Sequence, residues 1–168
     1  VAFAKEKKYI AKDFEIEIAR KTVVHGDPEI WTPKEMASLL AKAEPSAVPI
    51  IALGAFAGLR TAEIRDLKWS DISRGFIRIS PTNSKTGKRR LVPVSDNLAK
   101  WLASYQKAKG FVWEKRQTEK GKQFTPATLD KEVNLGFRTA AKSARLKWRH
   151  NALRHSYISY RLAHIQDA

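Results

Sequence analysis

The sequence predicts a mainly α-helical domain of the α+β class that carries one small antiparallel β-sheet. Two observations support this prediction. Apolar residues recur at helical spacing along most of the chain, and Thr32-Pro33 and Thr125-Pro126 each combine an N-cap threonine with a proline at the first helical position. By contrast, residues 76–94 place β-forming residues on both sides of a polar turn that contains glycine, which is typical of a hairpin.

The first 30 residues differ in pattern from the rest of the chain. Residues 1–12 resemble the last turns of a helix, with lysines between apolar positions. Residues 13–30 mix acidic, basic and β-branched residues without a helical period, which is typical of a linker. We therefore expect the chain to begin inside a larger protein, just before a domain boundary.

Two helices open the domain. Thr32 and Glu35 form a capping box, and the helix over residues 32–43 has an apolar face. Residues 47–57 (AVPIIALGAFA) are apolar on nearly every face, which predicts a buried helix, and Gly58 ends it.

Arg60 follows this buried helix so closely that its charge needs a partner, since an isolated buried charge is very costly. Thr61 can cap the next helix, and Glu63 falls in its first turn, where a carboxylate suits the helix dipole. Two interpretations remain open at this point. Arg60 and Glu63 form a structural ion pair at a helix corner, or Arg60 binds a phosphate.

The remaining elements follow in order. Residues 76–80 and 91–94 predict two strands joined by a basic turn at 81–90, and residues 71–72 can add a third strand. Residues 95–109 predict a helix, and residues 111–113 predict a short strand or a loop. A charged loop at 114–123 precedes a helix to about residue 144, and a basic connector leads to a last helix over 151–163.

The charge balance narrows the class of partner. The chain of 168 residues has 32 Lys and Arg against 17 Asp and Glu, a formal net charge of +15. Such an excess favours a polyanionic partner, most simply nucleic acid, although solubility, ribosomal and membrane-surface roles also fit. The absence of cysteine excludes disulfides and thiolate metal sites. No apolar run approaches the roughly 20 residues of a membrane span. We expect a cytoplasmic protein that is associated with the nucleoid when it is bound to DNA.

Three cations then stand out on separate predicted elements, namely Arg60, Lys85 and Arg154. The segments around them, GLRTAEIRDLKWSDI (58–72), SKTGKRRLVPV (84–94) and HNALRHSYISYRLA (150–163), resemble the three motif regions of tyrosine recombinases, the phage integrase family. The resemblance implies three parts. Residues 1–12 end an N-terminal DNA-binding domain, residues 13–30 are its linker, and residues 31–168 are a catalytic domain that lacks its C-terminal part.

The resemblance also implies a reaction. A tyrosine hydroxyl attacks a phosphodiester of double-stranded DNA, which gives a 3′-phosphotyrosyl intermediate and a free 5′-hydroxyl without any metal or cofactor. Arg60 and Arg154 match the two family arginines that clamp the non-bridging phosphate oxygens. Lys85 matches the general acid of the hairpin, and Glu63 matches an acidic residue that orients Arg60. The expected partners are DNA and further recombinase protomers.

Other positions have more than one possible assignment. The family usually has histidine three residues before the second arginine, where this chain has Asn151. Asparagine can hydrogen-bond a phosphate but cannot act as a base. Asn151 is favoured for the site, and His150 is the alternative if the helix start shifts by a residue. Lys88, Arg89 and Arg90 are candidate phosphate contacts, and His155 is a further DNA-binding candidate with a hydrogen-bonded structural role as its alternative.

None of the tyrosines fits the nucleophile. Tyr157 and Tyr160 lie too close to Arg154 in sequence to match the nucleophilic tyrosine of the family, and Tyr9 and Tyr105 fall in elements that do not correspond to it. We therefore expect the nucleophile to lie outside this chain, which on its own should be a monomer that binds DNA weakly and cleaves nothing. Two rival functions are kept. One is a non-catalytic DNA-binding protein on the same scaffold, and the other is an RNA-binding or ribosome-associated helical domain.

Overall fold

The computed structural model describes residues 2–11, 13–14, 27–83, 87–113 and 125–166. The helices of these residues are α1 (Ala2–Glu6), α2 (Pro33–Lys42), α3 (Val48–Ala57), α4 (Thr61–Asp66), α5 (Asp96–Ala103), α6 (Pro126–Ser143) and α7 (Ala152–Gln166). The strands are β1 (Ile72–Ser73), β2 (Phe76–Ile79) and β3 (Arg90–Pro93). The predicted class, mainly α with a small antiparallel sheet, is confirmed.

Helix α3 is the centre of the core. Every residue of α3 except Phe56 is buried, as expected for a helix that is apolar on all sides. Helices α5 and α7 pack against it, and α6 packs against α2 and α4. Gly54 allows α7 to approach closely, since an added Cβ would lie 3.0 Å from Leu153 Cδ1. The position of α7 therefore depends on its close packing against α3.

The sheet is antiparallel in the order β1-β2-β3. Ile77 pairs with Ile72 on one side and with Val92 on the other, and Ile79 pairs with Arg90. Ile77, Ile79 and Val92 are buried while Phe76 and Leu91 are exposed, so one face covers the core and the other faces solvent. This register places the first residue of β3 beside the end of β2.

The capping box at the start of α2 is present as predicted. The Thr32 backbone N–H donates to Glu35 Oε2 at 2.9 Å, and the Glu35 backbone N–H donates to Thr32 Oγ1 at 3.2 Å. Gly58 ends α3 as predicted, and the structure shows that it does so in the left-handed conformation with φ of 61°. The chain can therefore turn sharply between α3 and α4.

Three details of the sequence prediction were wrong. The N-cap of α4 is Arg60 and not Thr61, which is the first helical residue. Helix α5 ends at Ala103 and does not reach residue 109, because the following segment turns back to place Phe111 in a bridge with Lys68. The Val112 N–H donates to the Leu67 carbonyl in the same connection, and this long-range pairing outweighs local helical preference. Strand β3 also begins one residue earlier than predicted.

Several predicted features lie outside the described residues. They are most of the 13–30 linker, the tip of the hairpin with Lys85, and the 114–123 loop. Among the helices that are described, none combines the length and the apolar character needed to cross a membrane.

Candidate active site

One cavity brings together side chains from the α3–α4 corner, α6 and the start of α7. Arg60, Asn151 and Arg154 line it with Asn134, and Phe137 and Trp148 belong to its wall. Its volume of about 30 Å³ has room for only about two water molecules. The cavity is therefore too small to enclose a nucleotide, and its polar groups can serve only a small anionic group presented at the surface.

Arg60 reaches this cavity because it caps α4 directly after the Gly58 turn. Its backbone N–H donates to Glu63 Oε2 at 2.8 Å, and its Nη1 donates to Glu63 Oε1 at 3.2 Å. The Arg60 side chain keeps 36% of its surface exposed, whereas the Glu63 side chain keeps 1%. The ion pair considered from the sequence is present, and it leaves part of the guanidinium accessible to an anion.

Glu63 is also paired with Arg90 at the start of β3. Arg90 Nη2 lies 2.6 Å from Glu63 Oε2. Two arginines therefore share one buried carboxylate, which satisfies the charge that burial would otherwise make costly. From the sequence, Arg90 was a candidate phosphate contact together with Lys88 and Arg89. Because Glu63 and Arg90 are far apart in the chain, the sequence did not indicate that they form an ion pair.

Arg154 lies in the first turn of α7 and contacts the same corner. Its guanidinium donates a hydrogen bond to the Gly58 carbonyl oxygen. Burial lowers the pKa of the Arg154 side chain, and the nearby charge of Arg60 lowers this pKa further, while Glu63 opposes the shift. Two guanidinium groups thus lie close enough to repel each other, and an anion between them would relieve that repulsion.

The two residues considered for the histidine position lie in different places. Asn151 lines the arginine cavity, and its backbone has the left-handed φ of 56° that asparagine tolerates. His150 lines a neighbouring surface depression with Lys131, Asn134 and Arg138. Asn134 borders both, so the depression adjoins the cavity.

The other candidate residues are described only in part. Lys88 and Arg89 are exposed on the approach to β3, and Lys85 lies outside the described residues. His155 is half-buried on α7, and its Nδ1 is buried without a hydrogen-bond partner among the described residues. Within that same part of the chain, no group of His, Asp or Glu side chains is arranged to hold a metal ion.

None of the four tyrosines lines the arginine cavity. Tyr157 packs against Gly58, and the Tyr160 hydroxyl donates to the Trp31 carbonyl oxygen at 3.0 Å. Tyr9 is 74% exposed beside Phe3 near α1. These tyrosines have packing or surface positions.

A clamp that the sequence did not suggest holds the segment before α7. Arg149 Nη2 and Nη1 donate to the two Glu35 carboxylate oxygens at 2.7 and 3.0 Å, and Nη1 also donates to the Ile30 carbonyl oxygen at 2.8 Å. The Arg149 guanidinium lies 4.6 Å from the centre of the Trp31 ring. Hydrogen bonding from Arg149, followed by that from the Thr32 backbone, lowers the pKa of Glu35 to about 2.

One sequence family and two solved structures are similar to this chain. The sequence model of the phage integrase family matches residues 30–165. No curated protein matches the chain. Among solved structures, XerA recombinase is similar with a TM-score of 0.58 at 20% identity, over 80% of this chain and 51% of that one.

A second similar structure is that of lambda integrase bound to DNA, with a TM-score of 0.57 at 18% identity, over 82% of this chain and 52% of that one. At these identities the two structures show the fold alone, and the chain spans about half the length of each. The family model, in contrast, covers most of the sequence and includes all three motif regions. The chain therefore belongs to the phage integrase family, the tyrosine recombinases.

Proposed function

We propose that this chain contains the catalytic domain of a site-specific recombinase that cuts and rejoins double-stranded DNA through a 3′-phosphotyrosyl intermediate. The observation that carries the proposal is the meeting of Arg60 and Arg154 at one small cavity although they belong to different elements. A structural role for either arginine alone would not require the two like charges to lie together.

The charges suit a phosphoryl transition state. Arg60 and Arg90 pair with the buried carboxylate of Glu63, and Arg154 lies near enough to feel its charge, which leaves an excess of two positive charges among these four side chains. A phosphodiester under attack gains negative charge on its non-bridging oxygens, and fixed cations stabilise it. In this proposal Arg60 and Arg154 hold those oxygens, Asn151 donates a further hydrogen bond, and Lys85 protonates the leaving 5′-oxygen.

The attacking tyrosine in this proposal is not one of the four in the chain, because none of them lines the cavity. We place it in a part of the protein C-terminal to residue 168 or in a neighbouring protomer. Residues 1–12 and 13–30 would then be the end of a DNA-binding domain and its linker, with the catalytic domain over 31–168. The chain as it stands would bind DNA without cleaving it.

In this proposal, the DNA backbone on either side of the cleaved phosphate lies across the surface next to the cavity. Lys131 and Arg138 are seven residues apart on α6 and line the depression that also contains His150. Lys88 and Arg89 are exposed on the hairpin side. Such contacts supply affinity that depends on salt rather than on sequence, which suits a protein with a net charge of +15 acting on DNA in the nucleoid.

The test uses the complete gene product and duplexes selected from a random library by their binding to it. Wild-type protein is expected to form a covalent complex at a DNA 3′-end that survives denaturation. Arg60→Ala and Arg154→Lys are expected to lower the cleavage rate about 10²–10³-fold while most of the DNA affinity remains. Lys100→Gln, which removes an exposed charge on α5, is the control. Equal losses of binding and cleavage would contradict the proposal.

Asn151 favours one alternative function. An asparagine in the cavity cannot exchange protons, so a protein that binds DNA on this scaffold without cutting it is consistent with the same geometry. The covalent-complex assay separates the two. A complete gene product that binds duplex DNA through Arg60 and Arg154 and forms no covalent complex would establish the non-catalytic function.

A further inference from the structure

Arg90 occupies a position that differs from that of its basic neighbours. Lys88 and Arg89 are exposed, whereas Arg90 is half-buried at the start of β3. Its Nη2 contacts Glu63 Oε2 at 2.6 Å, and its Nε is buried without a hydrogen-bond partner among the described residues. The Arg90 side chain keeps 34% of its surface exposed, close to the 36% of Arg60, but its Nη2 is directed at the buried Glu63 carboxylate.

The carboxylate of Glu63 is the point where the strand and the site meet. Its Oε2 accepts from the Arg60 backbone at 2.8 Å and from Arg90 at 2.6 Å, and its Oε1 accepts from Arg60 Nη1 at 3.2 Å. The longest of the three contacts is the one that orients the Arg60 guanidinium. Its direction depends on how the carboxylate is rotated, and Arg90 is the second side chain that is bonded to this carboxylate.

We propose that Arg90 is a positioning residue, which fixes the Glu63 carboxylate and through it the guanidinium of Arg60. This inference rests on the proposed function, because Arg60 matters only if it binds the phosphate. It also gives the hairpin a second task. Lys85 lies shortly before strand β3 in the sequence, so the strand that follows the proposed general acid also holds the proposed phosphate-binding arginine in place.

The first experiment measures cleavage, the salt dependence of DNA binding and thermal stability in the complete gene product. Arg90→Gln is expected to slow cleavage about 10- to 100-fold, because small displacements of a catalytic group cost that much. The slope of log Kd against log salt concentration should stay as in wild type. Arg78→Gln is the control, since Arg78 on the neighbouring strand makes a more exposed ion pair with Asp71 at 3.0 Å, away from Glu63.

Two other outcomes would overturn the inference. A salt slope that falls by about one in Arg90→Gln would show a direct phosphate contact. Cleavage that stays at the wild-type rate, or that falls only in proportion to a loss of folded protein, would show a merely structural pair.

Arg90→Lys keeps the charge near Glu63 and is expected to fold and to restore part of the rate. In an Arg60→Ala background, Arg90→Gln should cause no further loss, because Arg90 acts through Arg60.

The second experiment does not depend on cleavage. In the 168-residue chain, the side-chain Nε–H NMR signal of Arg60 is expected to shift and broaden in Arg90→Gln and to remain unchanged in Arg78→Gln. An Arg60 signal that does not respond to Arg90→Gln would overturn the inference even if the complete protein cuts DNA. A responding signal in a protein that cuts no DNA would instead refute the proposed function and leave the positioning contact in place.

Discussion

Replacing Glu35 by glutamine is expected to destabilise the fold at neutral pH and to have progressively less effect as the pH falls toward 2. The carboxylate of Glu35 accepts two hydrogen bonds from Arg149, which fixes the segment just before α7. Glutamine keeps one carbonyl oxygen that can accept from the Thr32 backbone, so the substitution removes the charge and one of the two oxygens that accept from Arg149. The affected segment leads directly to Asn151 and Arg154.

The magnitude follows from the pKa of Glu35, which is lowered from 4.5 to about 2. At about 1.4 kcal/mol per pKa unit, this shift corresponds to about 3.5 kcal/mol of folding free energy. The Glu35 and Arg149 side chains keep 23% and 25% of their surface exposed, so solvent screens part of the attraction. We therefore expect Glu35→Gln to cost about 2 kcal/mol at neutral pH.

The direction of the pH dependence is determined by the lowered pKa. The unfolded chain takes up the proton near pH 4.5 and the folded chain only near pH 2. The stabilisation is therefore complete above about pH 4.5 and is lost as the pH falls through about 2. Wild type and Glu35→Gln should differ fully at neutral pH and converge in this acidic range.

Urea unfolding followed by tryptophan fluorescence measures this difference, since Arg149 lies over the Trp31 ring. Glu132→Gln is the control, because no ion pair is found for Glu132 among the described residues, and such surface changes usually stay within about 0.5 kcal/mol. A difference between wild type and Glu35→Gln that is the same at neutral pH and near pH 2 would refute the reasoning. So would a Glu35→Gln protein as stable as Glu132→Gln at neutral pH.

Two further predictions concern the corner that holds the arginines. Gly58→Ala should lower the melting temperature much more than Gly75→Ala does. Both glycines have positive φ, so the backbone strain is common to the two variants. An added Cβ would lie 2.3 Å from Tyr157 Cδ1 at Gly58, however, and would meet nothing within 4 Å at Gly75. Equal effects would mean that the contact with Tyr157 is relaxed without cost. Glu63→Gln should cost about 3 kcal/mol or more in urea unfolding, with partial recovery in phosphate, since the guanidinium groups of Arg60 and Arg90 lose the carboxylate they share. Asp71→Asn, which breaks an exposed pair with Arg78, should cost under about 1 kcal/mol, and similar costs for both would argue against a special role for Glu63.

The sequence was sufficient for several features that depend on neighbouring residues. The capping box of Thr32 and Glu35 and the end of α3 at Gly58 are such features, and both were predicted correctly. The helical period and the alternation of the strands gave the fold class for the same reason. The family resemblance added the expectation that Arg60 and Arg154 belong to the same site, which no local rule could supply.

The features that the sequence could not supply join distant parts of the chain. Glu63 and Arg90 are 27 residues apart, and Glu35 and Arg149 are 114 apart. Any of several carboxylates could pair with any of many arginines, and only the packing of α2, β3 and α7 around α3 selects these partners. The early end of α5 has the same origin, since the bridge between Lys68 and Phe111 decides it.

The hydrogen bond from Arg154 to the Gly58 carbonyl has a consequence for building hybrid proteins. The distance between the two arginines is set by one turn of backbone and one helix that touches it, with Tyr157 packed against that turn. A chimaera that takes the 48–66 segment from one parent and α7 from another would inherit both arginines yet misalign them. Exchanged blocks should therefore carry both segments together, even though about a hundred residues of chain lie between Gly58 and Arg154.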